Sequence, residues 1–497
     1  MTDNNEVKEL EEIKDILEDN KEEVVEINKS EVYEDLLTKY IKILYKDPRN
    51  KNWVDASQLI VYHLVKTINF YSIKDDDKKE LWFYNSDLGI YKNNGISEIK
   101  KIMYLILEKH YTTYIANLVL DKILVSNFID SDKFFNINYI DEVAVNNGIL
   151  NIKTKELSEF TSDKIFFNKL PMDFNPECRC PQIVKFVTDI VETQEEVNSL
   201  FEFFGYCLHK DYPIKKSLMC VGDADNAKTQ LLTLYKKFVN PVNVSFLSLH
   251  KLCLPNPDFD YIDLHNKFIN IAPDIGNEDI SRVGIFKSLT GNDSITIPRK
   301  FKNSITIKNY AKFIFACNEL PEAYDSSDGF WSRWVLITFP FKFLNKELMD
   351  PMNKNHKSKI ENIVDKISSD EELSGLLNLA LESLKHLLIK KDFSKKTSAK
   401  ELKDCWKRIS NNLFVFIDDN CKIGGFDEYV TKESFREYYT NWCRKTGQKR
   451  NCNDRKIKET LEYLGIGDGR KSIGEFREYC WLGISLKNKV VGELEKY

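Results

Sequence analysis

The chain has 497 residues, enough for two to four domains, with 42% hydrophobic and 30% charged residues. Those proportions exclude a fully disordered chain and a fibre, and no apolar run approaches the roughly 18–20 residues that cross a bilayer. The net charge of −5 is uneven: residues 3–36 carry fourteen acids against four lysines, which leaves the remainder basic by five charges. An acidic arm on a mildly basic body is compatible with a nucleic-acid partner. The acidic opening lacks the basic-then-apolar order of a secretory signal. Eleven cysteines without CxxC pairs read as reduced thiols, so a cytoplasmic chain with no membrane partner is expected.

Residues 1–47 form the acidic arm, expected to be helical or disordered and to break near Asp47-Pro48. Residues 48–185 read as an N-terminal α+β domain. Apolar residues recur at helical spacing from Trp53 to Phe70, and LWFYNSDLGIYKNNG reads as two strands around a turn closed by Asn93-Asn94-Gly95. Helical spacing returns over 97–128, and 143–160 reads as a hairpin pair turning at Asn147-Gly148. From 186 to 353 short apolar strands alternate with helices: SLMCVG (217–222), KFINIA (267–272), KFIFAC (312–317) and WVLITF (334–339). Continuous apolar runs of this length fit strands buried on both faces, hence an α/β domain around a largely parallel sheet. Residues 354–400 read as a lysine-rich helical connector. Residues 401–497 form a small, basic, aromatic-rich α+β unit.

The chemistry concentrates after the first of those strands, where Gly222-Asp223-Ala224-Asp225-Asn226-Ala227-Lys228-Thr229 precedes a helix. This is GxxxxGK[ST] with Ala227 in place of the second glycine. Such a loop suits phosphate because its N–H groups and the helix amino end converge on an anion. Lys228 would meet the β/γ-phosphates of ATP and Thr229 would offer its hydroxyl to Mg²⁺. If position 227 needs a positive φ, alanine there costs on the order of 1–2 kcal/mol. The strand KFINIA delivers Asp274 at its carboxyl end, where a carboxylate can hold Mg²⁺ and polarise water. No second acid adjoins it; Glu278 and Asp279 are weak substitutes. Asn318 follows the strand AKFIFAC and could orient water against a γ-phosphate, and Arg333 precedes WVLITF where an arginine finger could sit.

GDADNAKT, NIAPDIG, FKSLTGNDSITIPRKFKNSITIKNYAKFIFACNELP and DGFWSRWVLITFPFKF, in that order, resemble superfamily 3 helicases. They are most similar to the helicase part of phage, plasmid and poxvirus primase-helicases, over most of residues 80–345. The resemblance implies an AAA+-like P-loop ATPase in a hexameric ring that binds ATP between subunits and translocates on single-stranded DNA in a host-cell cytoplasm. It makes Lys228 and Thr229 the triphosphate and Mg²⁺ contacts, Asp274 the strand-end acid, Asn318 the sensor and Arg333 a finger acting in trans. Arg299, Lys300 and Lys302 would be the loop that meets DNA in the channel, with a primase or polymerase as a separate partner. Ala227 and the single acid Asp274 depart from the family pattern and put turnover in question. No separate primase domain is expected, because the roughly 80 residues before the resemblance are too few for one, and acidic in character.

IPRKFKN sets three basic residues beside an aromatic between strand-like stretches, a pattern suited to gripping phosphates. Between Arg444 and Lys458 lie seven basic residues and one acid. Thr431 could cap a helix with Phe435, Tyr439 and Trp442 on its inner face, and a second helix would carry Ile457, Leu461 and Leu464 inward with Arg455 and Lys456 near its start. Helix, basic turn, helix and strands resemble a winged helix that binds duplex DNA. Cys178-Arg179-Cys180 lacks the partners of a zinc site. Trp406, Trp442 and Trp481 are expected in cores. Two functions follow: an ATP-driven helicase, or a DNA-binding initiation or loading protein with a degenerate phosphate loop.

Overall fold

The computed structural model describes residues 26–47, 49–73, 80–276, 279–280, 282–300, 302–323, 327–425, 427–447, 453–474 and 476–487. Most of the acidic arm, Pro48 at its expected break, Glu278 and the hairpin aromatic Phe301 lie outside the described residues. The chain divides into two compact units, 1–137 with 160–167 and 301–305, and 138–159 with 168–300 and 306–497. Among the described residues no helix is long and apolar enough to cross a membrane.

The first unit contains α1 (Glu26–Leu44), α2 (Trp53–Thr67), α3 (Gly95–Leu107) and α4 (Thr113–Ser126). They accompany a sheet of order β3-β2-β1-β4, made of β1 (Phe70–Ile73), β2 (Glu80–Asn85), β3 (Ile90–Lys92) and β4 (Phe128–Ile129). The helical spacing read from Trp53 appears as one buried stripe: Ile60 and Leu64 of α2 meet Tyr40, Met103 and Val119 in a common core. The turn between β2 and β3 lies at 86–89, inside the segment read as two strands around a turn, and Asn93-Asn94-Gly95 follows β3. Asn85 Oδ1 accepts the Leu88 N–H at 2.9 Å, and Gly89 takes φ +68° with the Phe160 ring 2.2 Å from where a Cβ would stand. Only glycine fits there. Asn94 instead stands at the start of α3.

In the second unit β5 (Glu142–Val145), β6 (Gly148–Asn151) and β7 (Leu157–Ser158) form an antiparallel sheet. Val145 pairs with Gly148, so its first turn is Asn146-Asn147, one residue before the expected pair. Next come α5 (Pro181–Ile190) and α6 (Gln194–Leu208), the latter begun by a Thr193–Glu196 capping box. The main sheet has five strands, all parallel where paired, in the order β14-β8-β13-β10-β9. Its members are β8 (Ser217–Val221), β9 (Val244–Ser245), β10 (Ile269–Ala272), β13 (Lys312–Cys317) and β14 (Trp334–Thr338). Every residue of β8, β10 and β13 is buried, as their uninterrupted apolar runs require. α7 (Lys228–Val239) connects β8 to β9, and α8 (Gly284–Leu289) precedes the hairpin of β11 (Ser294–Arg299) and β12 (Lys302–Lys308). One-turn α9 (Asp328–Trp331) leads into β14, and β15 (Lys342–Leu344) pairs with β16 (His356–Ser358).

Within 354–400 lies α10 (Asp370–Lys390), which buries Leu376, Leu377, Ala380 and Leu384 against α6. The helices approach so closely that a Cβ on Gly205 would meet the Ala380 carbonyl at 2.2 Å. The chain after α10 returns to α6: Ser394 N–H donates to Glu202 at 2.7 Å, and Lys395 pairs with buried Glu196.

The C-terminal part runs α11 (Ala399–Ser410), α12 (Asn412–Asn420), β17 (Cys421–Ile423), β18 (Tyr429–Thr431), α13 (Lys432–Lys445), α14 (Asp454–Tyr463), β19 (Gly467–Ile473), β20 (Phe476–Leu482) and β21 (Ile484–Leu486). β18, β20 and β19 form an antiparallel sheet in that order. Thr431 Oγ1 accepts the Ser434 N–H at 3.1 Å, which caps α13. Phe435, Tyr439, Ile457, Leu461 and Trp481 are buried together, with Trp442 and Leu464 packed against them. Trp406 is fully buried elsewhere, so all three tryptophans pack in cores as expected.

Candidate functional site

Parallel register brings three chain segments out at one edge of the main sheet. Cys317 of β13 pairs with Val221 of β8, so Asn318 and Gly222 leave the sheet side by side. Ala272 of β10 pairs with Phe315 of β13, and Asp274 follows two residues later. This is the carboxyl edge, where ligands bind in open α/β sheets.

Between Gly222 and α7 the chain makes a tight loop with two non-glycine residues at positive φ, Asp225 at +62° and Ala227 at +68°. The strain anticipated for alanine at 227 is therefore present in the backbone. Three bonds pin the loop: Gly222 N–H to Cys317 O at 3.3 Å, Phe343 N–H to Asp225 O at 2.7 Å, and Asn226 Nδ2 to Phe339 O at 3.1 Å. A Cβ on Gly222 would meet Asn226 Nδ2 at 2.0 Å and Phe339 O at 2.7 Å, so this glycine is required by close approach. Ala227 gives α7 no side-chain cap. Its first-turn N–H groups and positive dipole end therefore face the loop, which is the ordinary chemistry of an anion cradle.

Lys228 is 7% exposed, and its ammonium is held by four acceptors. Nζ donates to Gly222 O, to Asp223 O at 2.8 Å, to Asn226 Oδ1 at 3.0 Å and to Asn318 Oδ1 at 3.1 Å. Burial lowers its pKa, while the fields of Cys317, Cys220, Asp223 and Asp274 oppose the shift. The same residue thus feels both Asn318 and Asp274. Asp223, Ala224, Asp225, Thr229, Asp274 and Asn318 are exposed around it. Asp279, the weaker acid candidate, is exposed as well.

Arg333 does not join this cluster within one chain. Trp334 pairs with Ser217, so Arg333 stands at the amino edge of the sheet, a five-residue strand or about 17 Å from the loop. Its guanidinium donates to Thr290 Oγ1 at 2.8 Å, to Lys287 O at 3.2 Å and to Gly329 O. The basic hairpin is formed as expected, with Thr296 and Thr306 hydroxyls 3.1 Å apart across β11 and β12. Arg299 ends β11 half-buried, Lys300 is exposed in the turn, and Lys302 opens β12.

Of the C-terminal candidates, Arg455 is exposed and bonded along its own helix to Glu459 at 2.8 Å. Lys456 turns instead to Glu322 at 3.0 Å, on the loop that follows Asn318. That loop is fixed further by the Trp406 indole, which donates to Pro321 O at 2.7 Å, and by Ile280 N–H to Glu322 O at 2.8 Å. Sequence reasoning missed these ties, which join residues 42 to 134 positions apart. It read strands here but missed the basic and aromatic side chains of the β19–β20 hairpin. Arg470 lies 4.1 Å from the Tyr479 ring, Arg477 is exposed, and Phe476 near the turn is 74% exposed. Basic residues flanking Gly474 in RKSIGEFREY were the available signal.

Two family models match the chain: "D5 N terminal like" over residues 41–192 and "Family of unknown function (DUF5906)" over residues 220–333. A curated relative, the putative helicase L207/L206 of Acanthamoeba polyphaga mimivirus, is 24% identical over 263 residues, which is 49% of this chain. The chain spans only 27% of that relative's length. Among solved structures, two apo structures of the NrS-1 C-terminal region cover 85% of this chain and 97% of their own at 12% identity, with TM-scores of 0.42 and 0.45. The resemblance to phage and viral primase-helicases is borne out by the first family model and the mimivirus relative. A helicase-like replication protein is the level of function those names carry.

Proposed function

We propose that the chain is an ATP-dependent DNA helicase or replication ATPase of a virus or mobile element, working as a homo-hexameric ring on single-stranded DNA. The observation that carries this reading is the meeting of three strand ends at Lys228, which bonds Asn318 and lies in the field of Asp274. The uncapped α7 and the close-packed Gly222 fit a triphosphate, and Thr229 and Asp274 are exposed where they could hold Mg²⁺. ATP would supply the phosphoryl group whose transfer drives movement. Lys228 would trade its carbonyl acceptors for phosphate oxygens, and Asn318 would position the attacking water. Arg333 would serve a neighbouring copy's site, leaving Thr290, Lys287 and Gly329 to do so. Arg299, Lys300 and Lys302 would grip DNA in the channel.

The order helix, two short strands, two helices and hairpin from α12 to β20 supports a winged-helix-like unit that meets duplex DNA. A primase or polymerase would act as a separate partner. One observation favours the second reading, a DNA-binding initiation or loading protein with a degenerate loop. Lys228 is already satisfied by its own loop and Arg333 by its own subunit. The mass of the particle with Mg²⁺ and a non-hydrolysable ATP analogue tests the ring. Six copies that fall to one without nucleotide agree with the proposal, and a monomer under both conditions contradicts it.

A further inference from the structure

Beside the Asn318 loop, a cleft of about 320 Å³ opens among α11, α12, α14 and the chain at Glu322 and Ala323. Its size falls within the roughly 300–1,000 Å³ usual for small-ligand sites. Two of its lysines, Lys403 and Lys407, stand one turn apart on α11 and make no ion pair among the described residues. A third, Lys456, is matched by Glu322, and the lining acid Glu459 is matched by Arg455. Three lysines against two acids give the lining a net charge of +1, or +2 when Arg455 outside the lining is counted with its partner Glu459. Tyr463 forms an aromatic wall, 54% exposed, with Lys407 Nζ 3.2 Å from its ring centroid and Phe414 edge-on at 6.1 Å. At the base the Asn411 amide donates to Thr460 Oγ1 at 3.0 Å, both nearly buried.

We propose that this cleft holds one nucleotide of a single-stranded DNA segment, its base against Tyr463 and Phe414 and its phosphates at Lys403 and Lys407. An open aromatic ring backed by a cation is the platform on which unpaired bases stack, and it accepts any base. Unpaired lysines at the rim supply the sequence-independent part of the affinity. An acidic peptide would use the lysines but gain little from the two rings. The site differs from the β11–β12 hairpin and shares only Lys456 with the basic start of α14. Its wall includes Glu322 and Ala323 of the loop after Asn318, a loop that Trp406 bonds at Pro321 and Lys456 at Glu322.

This inference rests on the reading that the chain works on single-stranded DNA, and one experiment separates the two. Binding of a labelled 15-mer oligothymidylate to the full chain is measured by anisotropy across salt concentrations. Photocrosslinks from an iodouracil-substituted copy are mapped to peptides. The double variant Lys403→Glu/Lys407→Glu should weaken binding at least tenfold and flatten the salt dependence by about 1.4, at ~0.7 per neutralised phosphate. Tyr463→Ala should weaken binding about tenfold, within the ~1–3 kcal/mol range for one stacked base. Both sites of change are solvent-accessible, and unchanged melting curves confirm folding. Crosslinks should fall on the peptides containing Tyr463 or Phe414. Wild-type binding that neither variant alters, or crosslinks confined to residues 294–308, overturns the cleft and leaves the parent reading standing. No oligonucleotide binding by the wild type overturns both.

Discussion

Replacing Ala227 with glycine tests the backbone geometry of the phosphate loop by the sign of a stability change. Ala227 sits at φ +68°, ψ +5° immediately before α7. An L-residue with a Cβ pays about 1–2 kcal/mol in that left-handed region. Glycine removes the strain but returns about 0.4–1 kcal/mol through its freer unfolded state. The net expectation for Ala227→Gly is therefore a gain of up to about 1.6 kcal/mol, centred on about 0.8 kcal/mol and concentrated in the loop and first turn of α7. Ala227→Val should lose stability, because a branched side chain tolerates positive φ less well. A chain of two units need not unfold in one step, so the assay is amide hydrogen exchange of residues 222–232 rather than a global melt. Slower exchange in the glycine variant agrees with the structure. Faster exchange, equivalent to about 1 kcal/mol lost, is what glycine does inside an ordinary helix, and it would refute a left-handed residue at 227.

Burial makes the fold pH-sensitive. Lys312 is fully buried between the Tyr206 and Tyr212 rings, donates to His209 O and Tyr310 O, and has its pKa pushed down to about 7; burial also takes Lys210 down to about 7. Between that value and the unfolded value near 10.4 the unfolded chain binds more protons, so stability should rise with pH above about 7 and stay level below it. Each lysine contributes up to about 1.4 kcal/mol per pH unit; chemical denaturation of Lys312→Met between pH 7.5 and 9.5 should show about that much less slope than wild type, and equal slopes would contradict it. Arg333→Ala should leave nucleotide binding within about twofold in equilibrium titrations while lowering ring-dependent phosphate release at least a hundredfold, the lower part of the range for arginine fingers being about 10³. Arg470→Glu/Arg477→Glu should weaken duplex binding and reduce its salt slope by about 1.8, at ~0.9 per phosphate contact, whereas Lys456→Gln should matter less because Glu322 already holds that lysine. The reverse ranking by anisotropy on a 20-base-pair duplex would assign the contact to the start of α14.

The main sheet was legible because parallel strands buried on both faces leave an unmistakable mark, an apolar run with a polar residue where it stops. Reading those stops as ligand edges located Gly222, Asp274 and Asn318 together, and the order of β8, β10 and β13 in the sheet made them neighbours. The cap of α13 at Thr431 was legible for a similar reason, since a capping side chain acts within three residues. Contacts between distant segments left no such mark. Nothing in the periodicity of residues 370–390 says that their leucine face packs on α6, or that Gly205 must be small to allow it. The basic start of α14 read as a DNA contact because a run of like charge looks solvated in isolation, yet Glu322, 134 residues earlier, pairs with Lys456. Arg333 carries the same lesson: its place before a strand was visible, while two of its three acceptors, Thr290 Oγ1 and Lys287 O, lie 43 and 46 residues earlier at α8.

Phosphate release from ATP by the purified full chain, with Mg²⁺ and with or without single-stranded DNA, tests the central claim most directly. Release that rises at least severalfold with DNA and vanishes in Lys228→Ala, with the variant still folded by its melting curve, is the predicted result. DNA binding retained without DNA-stimulated release, or release that survives Lys228→Ala, would contradict it and leave a DNA-binding protein with an inactive loop.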